Sequence, residues 1–177
     1  MIMVLPPTEC DSVPAESNLD LLPFDRLKYP TLAKIVEGLY DKVKNNPKLM
    51  NSLKNFTNLT EQQIVSNLET GKGPKVIVKT MPNIAGHYNH ETNTIEVGKH
   101  LFGISNTYLV TSYSTALEFY LASSILHEFI HFAENYTHKF LPHDNQYDDA
   151  GFQWENNFYG GTVSFNYATG AITLESL

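Results

Sequence analysis

The feature that most constrains this chain is a pair of histidines one helical turn apart, with a glutamate beside the first. The stretch SSILHEFIHFAENYTHKF, residues 123–140, contains His127, Glu128 and His131 in the order His-Glu-x-x-His. On a helix, residues four apart share a face and their Cβ atoms lie about 5–6 Å apart, so the two imidazoles can converge on one metal ion. The chain therefore has to bury one side of a long helix and keep the histidine side open. The buried side is supplied by Leu117, Leu121, Ile125 and Phe132.

Glu128 lies about 100° around the helix from His127, near the edge of the histidine face. It is too far round the helix to bind the metal with good geometry, yet close enough to reach a water molecule bound to the metal. Zinc lowers the pKa of such a water toward about 7, and a neighbouring carboxylate takes its proton as the water attacks a carbonyl. The motif therefore predicts a Zn²⁺ peptidase in which His127 and His131 bind the metal and Glu128 is the general base. The alternative is a coincidental pair of histidines or a decayed site.

A catalytic zinc ion needs a third protein ligand. An extended form of the motif would supply a histidine at position 137 after a glycine at position 134, but this chain has Thr137 and Glu134 there. Glu134 lies about 10 Å along the helix axis from His127, so we expect it to hold the ring of His131 rather than bind the metal. The third ligand then has to come from another element.

The segment DDAGFQWENNFYGG, residues 148–161, predicts a short second helix with a glutamate in its middle. We expect Glu155 of this helix to be the third metal ligand. The aromatic residues around it would pack this helix on the first one, and Gly151, one turn before Glu155, permits the two helices to approach closely. Asp148 or Asp149, at the start of the segment, is the alternative ligand.

The composition is that of a single globular domain. The chain has 177 residues, and 42% of them are hydrophobic, which is enough to form a buried core without disulfides or structural metal ions. Its 19 acidic and 12 basic residues give a net charge of −7. This argues against non-specific nucleic-acid binding, because such binding requires a surplus of basic residues to neutralise the phosphates. Cys10 is the only cysteine, so an internal disulfide and a multi-cysteine zinc site are excluded.

The first half of the chain predicts helices followed by a strand. Residues 1–29 have prolines at 6, 7, 14 and 23, and we expect an extended N-terminal tail there, with one domain over residues 30–177. Apolar residues at helical spacing follow Pro30 up to the break at Asn45-Asn46-Pro47, and a second helix is predicted over roughly 48–56. Thr60-Glu61-Gln62-Gln63 is a capping-box pattern that predicts a third helix. A strand is predicted at 75–80.

The second half predicts another strand, two helices and a hairpin, so the fold class is α+β. The strand lies at 94–97, after a turn-rich connector. A capping-box pattern at Thr115 and Glu118 predicts the start of the long helix, which is expected to end near Phe140. The second helix is expected at about 150–159, capped by Asp148 or Asp149, and the segment that turns at NYATG predicts a C-terminal hairpin. No apolar run approaches the length of a membrane span. The first residues, MIMVLPPTECDS, lack the regions of a signal peptide.

Several of these segments together resemble a known family. They are LHEFIHFAEN and DDAGFQWENNFYGG, with LETGKGPKVIVKT and GHYNHETNTIEV upstream. They are similar to gluzincin-type metallopeptidase toxin domains at the C-terminal ends of bacterial polymorphic toxins, including rearrangement-hotspot and type VI-associated ones. The resemblance covers roughly residues 30–161 and departs at Asp-Asp-Ala before the glycine. The matching positions are His127, Glu128, His131, Glu134, Gly151, Trp154, Glu155, Tyr159 and Gly160.

The resemblance implies a zincin-like fold and hydrolysis of peptide bonds in a protein substrate. It also implies a protein made in the bacterial cytoplasm, then secreted or delivered into a target cell, with an immunity protein as a partner. Two rival functions stay open. One is a non-catalytic module, stabilised by zinc, that acts by binding a partner. The other is a zinc amidase that acts on cell-wall peptide.

Three further groups of residues have two interpretations each. Tyr159 is a candidate donor to the oxyanion that develops during hydrolysis, or a packing residue. The strand Thr94, Ile95, Glu96 and Val97 is a candidate sheet edge on which an extended substrate would pair, or a plain structural strand. His87 and His90 either line the cleft or are exposed loop histidines.

Overall fold

The computed structural model describes residue 19 and residues 21–69, 72–103, 111–140 and 149–176. The predicted α+β class is confirmed, since helices are combined with two small sheets. The helices are α1 Pro23–Lys28, α2 Pro30–Lys44, α3 Pro47–Thr57, α4 Glu61–Leu68, α5 His100–Gly103, α6 Thr111–Thr137 and α7 Ala150–Tyr159. The strands are β1 Lys75–Lys79, β2 Gly86–Asn89, β3 Thr94–Gly98, β4 Thr162–Asn166 and β5 Ala171–Glu175. Cys10 and Asp148 lie outside the described residues.

Helices α2 to α4 form where the apolar spacing, the break at Asn45-Asn46-Pro47 and the capping-box pattern predicted them. The capping box at the start of α4 is confirmed, because the Thr60 hydroxyl accepts from the Gln63 backbone N–H while the Gln63 side chain accepts from the Thr60 N–H. Asn46 caps α3 by accepting from the backbone N–H of Leu49. The apolar face of α2 is buried, and its members are Leu32, Ala33, Ile35, Val36, Leu39 and Val43.

The described part of the predicted N-terminal tail packs on the domain. Leu19 and Leu21 are buried, and Leu21 forms a parallel bridge with Val76 at the outer side of β1. Helix α1, which the sequence did not predict, follows, and the carboxylate of Asp25 accepts from the backbone N–H of Val78.

The first sheet contains a strand that the sequence analysis missed. Its order is β1-β3-β2, with β1 parallel and β2 antiparallel to β3. Strand β2, Gly86–Asn89, lies in the segment that we predicted as a connector. Its residues GHYN carry little of the apolar alternation that marks a strand. It forms because its backbone pairs with β3 and because the side chain of Tyr88 is buried.

The prediction that Thr94, Ile95, Glu96 and Val97 form a substrate-pairing edge is wrong. These residues belong to β3, which is the central strand and is hydrogen-bonded on both sides. All five residues of β3 are buried, and the carboxylate of Glu96 is paired with the ammonium group of Lys79 at 2.8 Å. The backbone of β3 therefore has no free side for a peptide, and β1 and β2 are the outer strands, with Leu21 bridged to β1.

Helix α6 is the element against which the others pack. It is 27 residues long and contacts α2, α3, α7 and strands of both sheets. It begins at Thr111, so the prediction that a capping box at Thr115 starts it is wrong. Within the ranges that the structure describes, no helix is both long and apolar enough to cross a membrane. After α7, strands β4 and β5 form the predicted hairpin.

Helices α6 and α7 approach each other at Gly151. A Cβ atom at this position would lie 2.4 Å from Cδ2 of His127, whereas one at Gly38, an exposed glycine in α2, would meet nothing within 4 Å. We therefore expect Gly151→Ala to force the two helices apart and to lower the free energy of unfolding by about 1–3 kcal/mol, as overpacking does. The matched control Gly38→Ala should raise it by up to about 1 kcal/mol, because alanine favours a helix interior. Urea denaturation measures both, and equal stability of the two variants would contradict the packing argument.

Candidate metal centre

One face of α6 forms the floor of a cleft of about 850 Å³. Strand β2 and the residues before it contribute to one part of the lining, and the start of α7 contributes to another. The residues of α6 in the lining recur every three or four positions, which is the spacing of one helix face. They are Tyr120, Ser124, His127, Glu128, His131, Glu134 and Asn135.

Both histidines point one ring nitrogen at the same carboxylate. Nε2 of His127 lies 3.2 Å from Oδ1 of Asp149, and Nε2 of His131 lies 3.1 Å from Oδ2. Asp149 is brought there because it caps α7, where its Oδ1 also accepts from the backbone N–H of Phe152 at 2.9 Å. The start of α7 thus places a carboxylate beside the two imidazoles on α6, as a third group that could bind a metal ion.

The other ring nitrogen of each histidine is held by a second, buried carboxylate. Nδ1 of His127 lies 2.7 Å from Oε1 of Glu155, and Nδ1 of His131 lies 2.9 Å from Oε2 of Glu134. Glu155 therefore meets His127 on the side opposite to Asp149. Its second oxygen accepts from the backbone N–H of Val163 in β4 at 2.6 Å.

The donor set fits a divalent metal ion. One atom from each of His127, His131 and Asp149 lies within 4.8 Å of the others. The two Nε2 atoms lie 3.2 and 3.1 Å from Oδ1 and Oδ2 of Asp149, respectively, whereas ligand atoms about 2.0–2.1 Å from one tetrahedral zinc ion lie about 3.3–3.4 Å from one another. Two imidazoles and one carboxylate are also ligands that zinc accepts in its hydrolytic sites. Among the described residues, these three are the His, Cys, Asp or Glu side chains that lie close enough together to hold a metal ion.

The hydrogen-bond partners of the two histidines favour rings that are protonated on both nitrogens. A carboxylate can only accept hydrogen bonds, and each imidazole has a carboxylate oxygen at both of its nitrogens. Burial lowers the pKa of His127, but hydrogen bonds to Asp149 and Glu155 outweigh it and raise the pKa to about 10. Burial opposes the same effect at His131, where Asp149 and Glu134 raise the pKa to about 9. Burial works against ionisation of Asp149 too, yet its two histidine partners hold its pKa well below the usual range.

Glu128 is fixed beside this group by the edge strand. Its Oε2 accepts from the backbone N–H of Tyr88 in β2 at 2.7 Å, and its Oε1 lies 4.0 Å from Nε2 of His127. The residue is 7% exposed, and a Cβ atom at Gly86 would lie 3.0 Å from its Cγ. One oxygen of Glu128 is thus held, and the other faces the group that could bind a metal.

The structure places Tyr159 outside the cleft lining, whereas Tyr88 and Tyr120 belong to it. The hydroxyl of Tyr159 receives a hydrogen bond from the Ser123 hydroxyl at 3.0 Å and is not part of the cleft lining. Tyr120 lines the cleft instead, and its hydroxyl is hydrogen-bonded to that of Tyr167. The spacing of Tyr120 from His127, two turns along one face, is the signal that could have found it.

The structure brings most of the other predicted residues together. His127, Glu128, His131, Glu134 and Glu155 all line the cleft, as do His87 and His90 on or next to β2. Sequence reasoning did not assign Ser124 to the cleft, and it counted Phe152 among the aromatic residues that pack α7, but both line the cleft.

The fold and site define an α+β protein with a His-His-Asp group that could bind a metal. The family model described as metallopeptidase toxin 3 matches residues 25–160. The chain therefore belongs to the metallopeptidase toxin 3 family, which confirms the predicted resemblance to metallopeptidase toxin domains. Comparison with the curated proteins and with solved structures gave no match.

Metal binding should release protons. Since the raised pKa values of His127 and His131 keep both rings protonated at pH 7, a divalent ion that binds both Nε2 atoms has to displace about two protons. The apparent affinity for Zn²⁺ should then rise about 100-fold per pH unit from pH 6.5 to 8, rather than level off above the usual histidine pKa of about 6.5. Competition with a chelator measures this slope, and calorimetry in two buffers counts the protons. A slope near zero above pH 7 would contradict the hydrogen-bonded arrangement.

Proposed function

We propose that this protein is a zinc-dependent peptidase with a zincin-like fold that acts as a bacterial toxin domain. The observation that carries the proposal is the position of Glu128. Its carboxylate has one oxygen held by Tyr88 and the other 4.0 Å from Nε2 of His127. This is where a general base is needed beside a hydrolytic metal. Membership of the metallopeptidase toxin 3 family supports the same activity.

In this proposal, Asp149 is the third ligand in place of Glu155. The three donors are Nε2 of His127, Nε2 of His131 and a carboxylate oxygen of Asp149, which lie together in the cleft. Glu155 and Glu134 accept from the Nδ1 atoms, and such partners fix the orientation of a ligating imidazole and raise its basicity. Glu155 is fully engaged in this role, because its two oxygens contact His127 and the Val163 N–H.

The chain's own residues then divide the work of hydrolysis. A bound zinc ion supplies Lewis-acid activation of water and of the substrate carbonyl. Glu128 takes a proton from the attacking water and passes it to the departing amine. An extended substrate would lie along β2, whose one side pairs with β3 and whose residues Gly86, His87 and Tyr88 line the cleft.

The geometry supports an enzyme better than a binding module. A purely structural zinc site fills its fourth position with a protein ligand and has no use for a carboxylate held beside the metal. A zinc amidase that acts on cell-wall peptide would use the same groups, and a comparison of cell-wall peptides with ordinary peptides as substrates separates the two. The toxin role implies secretion or delivery into a target cell and a cognate immunity protein, which would protect the producer.

The ligand assignment can be tested with two substitutions. Asp149→Ser keeps a residue that caps helices well but removes a ligand, whereas Glu155→Gln keeps the metal ligands and weakens the support of His127. We expect Asp149→Ser to change the visible spectrum of the Co²⁺-substituted protein, since its ligand set changes. Glu155→Gln should leave the band positions nearly unchanged and weaken metal binding about 10–100-fold. The reverse pattern would restore Glu155 as the ligand.

The catalytic role of Glu128 can be separated from metal binding. Glu128→Gln should keep the metal and the fold, because the amide is nearly isosteric and its oxygen still accepts from the Tyr88 N–H. Hydrolysis should fall by about 10²–10⁴-fold, the contribution of a general acid–base group. Glu118→Gln, on the same helix and outside the cleft lining, is the control.

Expression in a susceptible bacterium is the second measurement. At equal protein levels, the parent and Glu118→Gln should be harmful and Glu128→Gln harmless. If Glu128→Gln stays fully toxic, the harm comes from binding and the peptidase proposal fails.

A further inference from the structure

Large apolar side chains are exposed at the cleft. Phe152 is 39% exposed, Ile84 51% and Phe140 63%, and all three line the cleft. They come from three separate parts of the chain, which are α7, the segment before β2 and the segment after α6. Single exposed apolar residues are ordinary on a protein surface, but a group around one concave site marks a binding surface. We call these three residues the apolar rim.

The apolar rim reaches the reacting groups through Phe152. Its ring lies 4.7 Å from the ring of His127, at an interplanar angle of 76°. It also follows the cap residue Asp149 by three positions, and its backbone N–H donates to that carboxylate. A substrate group held at the proposed metal site would therefore lie close to the exposed ring of Phe152.

The charged groups of the cleft also favour an apolar substrate side chain over an acidic one. Four carboxylates line it, those of Glu128, Glu134, Asp149 and Glu155, and the described lining residues include no lysine or arginine. The four carboxylates outnumber the two positive charges that the protonated histidines or a divalent ion would supply, so the cleft keeps a net negative charge that disfavours an acidic substrate side chain. An apolar side chain avoids that cost and gains by covering the rim.

We propose that the cleft takes an extended peptide in which a residue next to the scissile bond carries a large apolar side chain that packs on Phe152, and that an acidic residue is rejected at that position. The inference rests on the proposed peptidase function and names its substrate class. Phe152 is then a specificity-determining residue.

The test begins with the parent protein loaded with Zn²⁺ and a mixture of random decapeptides, whose cleavage products are sequenced by mass spectrometry. Matched peptides with Leu, Ala or Asp at the selected position then give kcat/KM. We expect Leu to exceed Ala by about 10-fold or more, the range for added methylenes in an apolar pocket, and Asp to be the poorest. Phe152→Ala should remove most of the Leu preference and leave the Ala peptide little affected.

Matched variants control for general damage. Phe24→Ala removes an exposed phenylalanine of α1, 70% exposed and outside the cleft lining, and should change no ratio. Phe140→Ala is a second rim variant, which keeps the test valid if Phe152→Ala fails to fold. A Leu preference that persists in both rim variants, or no preference for Leu over Asp in the parent, would overturn the inference while leaving the peptidase function intact.

A binding measurement separates the inference from the proposed function. Calorimetry with the Zn²⁺-loaded Glu128→Gln variant should show the Leu peptide binding at least about 10-fold tighter than the Asp peptide, and Phe152→Ala in that background should abolish the difference. If selective binding is found but the parent hydrolyses no peptide, the peptidase function fails and the apolar recognition by Phe152 stands. If neither is found, both fail.

Discussion

The structure depends on a chain of hydrogen bonds that runs through five ionisable side chains. It passes from Glu155 to His127, to Asp149, to His131 and to Glu134. Three of the five are buried, and a buried charge without a partner costs several kcal/mol. Each imidazole nitrogen in this chain faces a carboxylate oxygen, so the attractions within the group offset that cost. The same bonds join α6 to α7 and thereby hold the two helices in register.

Two carboxylates extend this network into the sheets. The second oxygen of Glu155 holds the backbone of Val163, which starts the hairpin, and Glu128 holds the backbone of Tyr88 in the edge strand. The cleft is therefore bordered by two strands whose backbones are hydrogen-bonded to carboxylates of its own lining.

The same group of side chains contains the three proposed metal ligands. If a divalent ion displaces one proton from each of His127 and His131, the net charge of the group is unchanged by the exchange. The two oxygens of Asp149 lie 3.2 and 3.1 Å from the two Nε2 atoms, so the three proposed ligands are already neighbours.

The local sequence pattern was sufficient to predict the features that depend only on the geometry of a helix or of a turn. It put His127 and His131 on one face of a long helix, since a spacing of four residues makes neighbours on any α-helix, and it located the hairpin. It favoured Glu155 as the third ligand, with Asp148 or Asp149 as the alternative. It does not encode which ring nitrogen each carboxylate meets, because Asp149 and Glu155 both lie on the segment that faces α6 and the packing of the two helices sets these contacts. Nor could it find β2, because a short polar strand exists only through pairing with a distant one. Distances between elements far apart in the chain are set by packing, and no local periodicity encodes them.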